Sequence, residues 1–508
     1  MATAHGPLVI GVDSSTQSTK ALVVDTATGE VVASGQASHP TTATHEIDPE
    51  HWWKALTSAL EQCGRAATEA EAISVAGQQH GLVTLDATGA PVRPALQWND
   101  VRSAPQVESL TRDLGGPAAW ARRVGSVPAP SFTAPKWRWL TENEPETAAR
   151  TAAIRLPHDY LTGRLTGEGT TDRGDASGTG WWAGDEAGYD TGILDHLGLD
   201  PALLPRVVGR GEGAGTVMAA AGLPLRTGAL VAAGTGDNMG AALGLGLAPG
   251  TPVLSLGTSG TVYAVSRTRP ADETGTVAGF ADATDGWLPL ACTLNCTLAV
   301  DRVAALLGRE REDVEPAAGP VLLPFLDGER TPQLPYASGL LYGLRHDTTG
   351  GQVLQAAYDG AVYALLRALD LVLADESRPD APILLIGGGA RGTAWRETVR
   401  RLSGRPVQVP RAQELVALGA AAQAAGLLLG TDPAEVARGW RTAEGPSHDA
   451  VPRDDEALAR LENALTGADD LLRRPTPGTA TTEATGTATP DTAANAPGGD
   501  ERGGNLPR

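Results

Sequence analysis

Two stretches of this chain follow one pattern, and any fold it adopts must accommodate both. Leu8–Val12 is apolar, Asp13–Thr19 is a run of small polar residues, and Lys20–Asp25 reads as a second strand. Near mid-chain, Pro252–Leu256 is apolar, Gly257-Thr258-Ser259-Gly260 is a small-residue turn, and Thr261–Ser266 is again strand-like. Laying Ser15-Thr16-Gln17 over Gly257-Thr258-Ser259 aligns the two hairpins at a separation of about 240 residues. A repeat that long is no solenoid unit; it predicts two domains with one core topology. The 508 residues suffice for two to four domains and a large core.

Other elements follow from local signals. Ala27–Gly29 is a turn and Glu30–Gln36 a third strand, which completes an antiparallel meander. Asp48-Pro49 supplies an N-cap and a first-turn proline for a helix through Trp52, Trp53, Leu56 and Leu60, with both tryptophans in the core. Ala72–Ala76 is a short buried strand. A third glycine turn, Gly387-Gly388-Gly389-Ala390, follows a strand at Ile383–Ile386 and precedes a helix through Trp395 and Val399. Glu414–Leu429 is a helix of small residues able to pack closely on a neighbour, and Asp454–Leu472 reads as one further helix. From Pro475 to Arg508 the only large apolar side chain is Leu506, so this segment is expected to be disordered. The resulting division is 1–245, 246–440, a helical extension 441–474 and a tail 475–508.

Composition removes several function classes. A formal net charge of −20 repels phosphate backbones and anionic lipid, so neither nucleic acid nor a membrane surface is an expected partner. Three cysteines exclude a disulfide framework; Cys292 and Cys296 could share a helix face but are read as buried thiols. The amino end carries no signal-peptide pattern, and no apolar run is long enough to span a bilayer. The nearest candidate, Leu415 to Gly430, carries Gln423. A cytoplasmic location is expected.

Hydroxyl- and glycine-rich hairpin turns leave convergent backbone N–H groups that bind anions, above all phosphate oxygens. Two such turns facing each other across two domains would clamp a polyphosphate. Neither a P-loop nor a dinucleotide fingerprint follows the first strand. Asp13 ends that strand, and a carboxylate there would repel phosphate unless a divalent cation such as Mg²⁺ lay between them. Asp237 lies in Gly234-Thr235-Gly236-Asp237-Asn238 at the expected start of a helix, which should keep it ionised. An ionised carboxylate within reach of a hydroxyl can take its proton during phosphoryl transfer. Gly77-Gln78-Gln79-His80-Gly81 places an amide and an imidazole on a turn suited to polyol hydroxyls. Trp98, Asn99 and Asp100 add an aromatic face with two polar groups.

Together these segments resemble the FGGY carbohydrate kinases: Gly11–Lys20, Gly77–Gly81, Trp98–Asp100, Gly236–Asn238, Leu256–Gly260 and Gly387–Arg391, in order from about Leu8 to Gly430. Phe132-Thr133-Ala134-Pro135-Lys136 and Gly328-Glu329-Arg330-Thr331-Pro332 resemble the xylulokinase branch of that family. The resemblance implies an α/β architecture of two actin-like, ribonuclease-H-like domains with a catalytic cleft between them. It also implies ATP-dependent, Mg²⁺-requiring phosphorylation of D-xylulose at the 5-hydroxyl, and it suggests a homodimer. By resemblance Asp237 is the general base and Asp13 serves the phosphate and Mg²⁺ end. Gln79, His80, Trp98, Asn99, Asp100 and Asn238 face the sugar. Ser15, Thr16, Lys20, Gly257 and Thr258 hold phosphates, and Gly387, Gly388, Gly389 and Ala390 lie under the adenosine.

Two positions depart from the family pattern. Ser15 replaces a glycine of the first turn and is expected at an ordinary negative φ. Gln79 stands where many xylulokinases carry Met, a swap that a main-chain contact survives. The rival readings are a kinase for another ketose, a sugar alcohol or glycerol, a non-catalytic sugar-binding protein, and an actin-like assembly or chaperone ATPase. Intact Asp13, Asp237 and both phosphate turns argue against the non-catalytic binding protein, and the sugar-facing Gln79, His80 and Trp98 argue against the assembly or chaperone ATPase.

Overall fold

The computed structural model describes residues 6–474 apart from 41–43, 210, 317–318 and 377; the expected tail after Arg474 lies outside these residues. The meander forms as read: β1 (Leu8–Ser14), β2 (Ser18–Asp25) and β3 (Val31–Ser38) pair antiparallel. They continue through β4 (Ala72–Gly77), β5 (Gly213–Thr216), β6 (Leu230–Ala232) and β7 (Thr235–Gly236) into one sheet of order β5-β6-β4-β1-β2-β3, with β7 extending β6 alongside β4. β1, β6 and β7 all run parallel to β4.

The second sheet repeats this plan. β8 (Val253–Leu256) and β9 (Gly260–Tyr263) form the second hairpin, followed by β10 (Ala278–Ala281), β11 (Trp287–Thr293), β12 (Ile383–Ile386), β13 (Val407–Gln408) and β14 (Ser447–His448). The order is β10-β11-β9-β8-β12-β13-β14, with β8, β12 and β13 parallel. The core β3-β2-β1-β4-β6 therefore corresponds to β11-β9-β8-β12-β13. The hairpin overlay predicted from sequence is the duplicated unit of the fold.

Helices set the layers. α1 (Pro49–Cys63) starts as expected, with Asp48 accepting from the Glu50 amide and Pro49 in the first turn. It buries Trp52, Trp53, Leu56 and Leu60 against the first sheet. Between β4 and β5 the chain forms α2 (Thr133–Asn143), α3 (Pro157–Thr166) and α4 (Arg173–Ser177), and α5 (Asp237–Gly244) follows β7 directly. On the outer face of the second sheet lie α6 (Thr297–Leu307), α7 (Gly350–Leu373) and α8 (Thr393–Ser403).

The middle layer comes from both halves of the chain. α9 (Leu415–Leu429) lies in sequence between β13 and β14 of the second sheet yet packs on the first, where Ala417, Leu418 and Ala421 meet Val9, Leu22 and Ala72. α5 lies beside it, and its Met239 and Ala242 meet Val253, Tyr263 and Leu384 of the second sheet. The contact between α5 and α9 is backbone to backbone. A Cβ on Gly419 would fall 1.9 Å from the Gly240 carbonyl oxygen, and one on Gly11 would fall 1.9 Å from that of Ala417. The small-residue helix packs as closely as its composition allows.

Two local expectations are corrected. Cys292 sits on strand β11 and Cys296 caps the start of α6, so they share no helix face; both are free thiols. The expected helix Asp454–Leu472 breaks at Ala468 into α10 (Asp455–Gly467) and a short turn of helix, Asp469–Leu472. Among the described residues no single helix is long and apolar enough to cross a membrane. Ser15 does not adopt a positive φ.

Gly419→Ala should destabilise the protein by about 3 kcal/mol or more, because backbone rather than a flexible side chain meets the new methyl. Gly467→Ala, whose Cβ would enter open space at the end of α10, should stabilise it by about 0.5–1 kcal/mol. Urea unfolding of the two variants reads both, and equal stabilities would mean that backbone contact does not close the interface.

Candidate active site

Strand register brings the candidate residues to one edge. Asp13 on β1 pairs with Ala76 of β4, and Gly236 on β7 pairs with Gly77. The parallel strands β1, β4 and β7 thus deliver Asp13, the Gln78–His80 turn and Asp237 from their adjoining carboxyl ends, where open α/β sheets bind ligands. β8 and β12 do the same in the second sheet, with Gly257–Ser259 and Gly387–Ala390 following their adjoining ends.

Asp237 is the first residue of α5. One oxygen, Oδ1, accepts from the Asn238 backbone N–H (2.7 Å) and from Asn238 Nδ2 (2.9 Å). Asn238 Nδ2 also donates to Gln79 Oε1 at 3.0 Å, which joins the start of α5 to the Gln78–His80 turn. The helix start was expected to hold Asp237 fully ionised. Burial outweighs it and pushes the carboxyl up to about 6, against the Asn238 hydrogen bonds. That value still leaves it ionised at neutral pH and makes it a better proton acceptor.

Asp13 is 8% exposed and its Oδ1 is buried without a hydrogen-bond partner. Burial, joined by the charges of Asp237 and Glu414 and opposed by Lys20, raises its carboxyl to about 7. Lys20 Nζ is 2.6 Å from Glu414 Oε2, an ion pair that ties β2 to the residue before α9. Glu414 holds a left-handed φ of 55°. It was not singled out from sequence, because the partner that makes it part of the site lies 394 positions away.

Within the turn between β1 and β2, Ser15 Oγ donates to the Ser18 carbonyl at 3.0 Å, closing the turn on itself. Trp98 is 43% exposed, and its Nε1 donates to Thr16 Oγ1 at 2.9 Å. The aromatic face expected for sugar recognition is therefore anchored to the turn between β1 and β2. Behind it Ser14, Thr19 and His39 form a buried chain of 3.1 and 2.9 Å contacts.

His80 has a left-handed φ of 65°, unusual for a residue with a Cβ, and stacks on Phe132 at 4.8 Å. Its Nδ1–H donates to the Gly178 carbonyl at 2.8 Å. Burial, reinforced by Lys136 and Arg330, lowers the ring to about 3. The imidazole is neutral, with Nε2 left as the acceptor for a hydroxyl. Lys136 is buried and donates to the carbonyls of Pro130, Ser131 and Phe132, fixing the loop that carries the stacked phenylalanine. Phe280 of β10 approaches the same imidazole at 5.5 Å, so the second half closes the pocket wall.

Asn99 keeps a buried Oδ1 without a partner, as does Gln79 at Nε2. Asp100 departs from the expectation. It is buried and its carboxylate is committed to Arg102, 2.8 Å from Nε and 2.7 Å from Nη2, so it shapes the loop rather than offering a free group to a sugar. In the turn between β8 and β9, Thr258 is exposed, while Gly257 is held by Thr297, whose N–H and Oγ1 both donate to its carbonyl. Gly387 has φ 83°; a Cβ on Gly388 would meet nothing within 4 Å, whereas Gly389 and Ala390 are buried against β8.

The N-terminal domain of the FGGY family of carbohydrate kinases matches residues 8–244, and its C-terminal domain matches residues 253–427. The xylulose kinase of Streptomyces rubiginosus is 71% identical over 94% of this chain and 99% of its own length. That of Streptomyces coelicolor is 70% identical over 93% and 99%. Among solved structures, the xylulose kinase of Bifidobacterium adolescentis is 36% identical with a TM-score of 0.82, covering 90% of this chain and 99% of its own. The glycerol kinase of Plasmodium falciparum, at 18% identity and a TM-score of 0.80, shares the fold.

The raised Asp13 carboxyl has a consequence for stability. Its folded value of about 7 lies above the ordinary aspartate value of 3.8. Its contribution is therefore full below about 3.8 and is lost as pH rises through 7. Asp13→Asn should raise the unfolding free energy by about 1–3 kcal/mol at pH 8, a gain that shrinks as pH falls below 7. Denaturant unfolding at several pH values measures this, and a destabilised Asn variant at pH 8 would contradict it.

Proposed function

This chain belongs to the FGGY family of carbohydrate kinases, and from that premise we propose that it transfers the γ-phosphoryl group of ATP to the 5-hydroxyl of D-xylulose. The geometry of Asp237 carries the reading: one carboxylate oxygen is fixed by two donors from Asn238, and the other remains for a substrate hydroxyl. The 70–71% identity to proteins named xylulose kinase supports the choice of sugar.

In the reaction Asp237 takes the hydroxyl proton as the sugar oxygen bonds to the γ-phosphorus and the bond to the β-phosphate oxygen breaks, releasing ADP. Neutral His80 accepts a sugar hydroxyl at Nε2, and Gln79 and Asn238 hold the base to the sugar turn. Trp98 and Asn99 line the same side, in residues 1–245. The turns at Ser15–Thr16 and Gly257–Thr258 offer backbone N–H groups to the phosphates, with Lys20 beside the first. Gly387–Ala390, within residues 246–440, form the floor for the adenosine. Mg²⁺ fits at Asp13, whose buried Oδ1 lacks a partner and whose raised carboxyl a cation would hold ionised. Bound there, the ion would offset phosphate charge. Among the described residues no three-ligand cage exists, in keeping with a cation that retains water and phosphate ligands.

Asp237→Ala should lower kcat by about 100- to 10,000-fold, the usual worth of a positioned base, while ADP binding by calorimetry stays near wild type. Coupled ADP release across ketoses, sugar alcohols and glycerol should show D-xylulose with the highest kcat/KM. A higher value for another polyol would reassign the substrate, and near-normal turnover by Asp237→Ala would remove the base.

A further inference from the structure

α9 is built almost wholly from Ala, Gly, Leu and Val, and Gln423 is its one polar residue. Its side chain does not face solvent on a free surface. Gln423 Oε1 accepts from the Gly234 backbone N–H at 3.0 Å, and Gln423 Nε2 donates to the Gly234 carbonyl at 2.9 Å. The amide therefore pairs with one residue's N–H and C=O together, as a neighbouring strand would. Ser74 Oγ of β4 donates to the same Oε1 at 2.6 Å.

The residue so held is unlike its neighbours. Gly234 has φ 83°, and a Cβ there would lie 2.6 Å from His158 Nδ1 and 2.7 Å from the Val75 carbonyl oxygen. It is the bend between β6 and β7, three residues before Asp237. Where the sheet ladder is interrupted between β6 and β7, its backbone groups would be unpaired in the interior without Gln423. The next residue is fixed from the other side: Thr235 Oγ1 donates to Asp172 Oδ2 at 3.0 Å. Asp172 in turn lies 3.3 Å from His158 Nε2, which Asp159 and Asp175 also approach at 3.2–3.3 Å.

We infer that Gln423 is a positioning residue for catalysis, through which the carboxyl-terminal helix α9 sets the bend that aims Asp237. The inference rests on the reading of Asp237 as the base. It assigns α9 a part in the chemistry that its small-residue packing alone does not require, since an alanine at 423 would continue the helix but leave the Gly234 N–H and carbonyl without these partners. The charged groups around the amide are Asp172, Arg173 and Glu212, which line the same cavity, with His158 across Gly234.

Two substitutions test it. Gln423→Met keeps length and removes all three bonds. It should lower kcat about 10- to 100-fold, as expected for a misaimed base, with both KM values within about twofold. Gln423→Glu makes the geometry titratable: a protonated carboxyl can accept from the Gly234 N–H and donate to its carbonyl, whereas the ionised form faces that carbonyl with no proton to give. Its kcat relative to wild type should therefore rise as pH falls from 8 to 6, while the relative kcat of Gln423→Met stays flat. If Gln423→Met fails to fold, Gln423→Glu alone decides. Wild-type kcat in Gln423→Met, or a pH-independent ratio for Gln423→Glu, overturns the inference and leaves the base reading standing. Near-normal turnover by Asp237→Ala, assayed alongside, overturns both.

Discussion

Contact between the backbones of α5 and α9 is the constraint on which the active site depends. Gly419 lies against Gly240, and Gly11 of β1 lies against Ala417, so closely that a single methyl at either glycine would collide with a carbonyl. α5 begins with Asp237, the proposed base, and β1 carries Asp13 one residue from its end. The same helix therefore fixes the depth of both groups. Interiors packed to crystalline density transmit such a constraint without slack. Glu414 at one end of α9 and Gln423 in its middle add polar ties to the same two elements, through Lys20 and Gly234. A site made from the first half of the chain is completed by residues more than 400 positions along it.

That arrangement explains how two aspartates can sit together without a nearby cation of the protein's own to neutralise each fully. Lys20 is shared with Glu414, and Asp13 bears both burial and the charge of Asp237. The cost is tolerated because the surrounding scaffold is held independently by apolar packing. Bulk acidity, −20 over the chain, does not conflict with the proposed nucleotide binding, since neutral backbone donors in glycine and hydroxyl turns can carry phosphate contacts.

Local chemistry made much of this legible before any coordinates. The hairpin repeat was visible because a strand, a small-residue turn and a second strand leave the same imprint wherever they recur. Asp48-Pro49 announced α1, and Asp13, Gln79, His80 and Asp237 stood out because each follows a strand at a turn. Long-range geometry was not legible. Glu414 and Gln423 matter only through partners in the first half, and nothing in their immediate neighbours records that. Asp100 looked like a sugar ligand until its buried pairing with Arg102 was seen. The left-handed backbone of His80 was hidden because its flanking glycines suggest that they, rather than the histidine, would take the strained conformation. The helix face that Cys292 and Cys296 could have shared does not form, because a spacing of four residues cannot distinguish a helix face from a strand that ends between them.

That α9 belongs physically to the first sheet, although the chain places it between two strands of the second, is open to direct measurement. Native-state hydrogen exchange across a denaturant series resolves the cooperative units of a fold. The amides of Leu415–Leu429 should open together with those of Leu8–Ser14 and Ala72–Gly77, at a common free energy and denaturant slope. Opening of Leu415–Leu429 together with Val253–Leu256 and Ile383–Ile386, while the first sheet stays protected, would contradict the account.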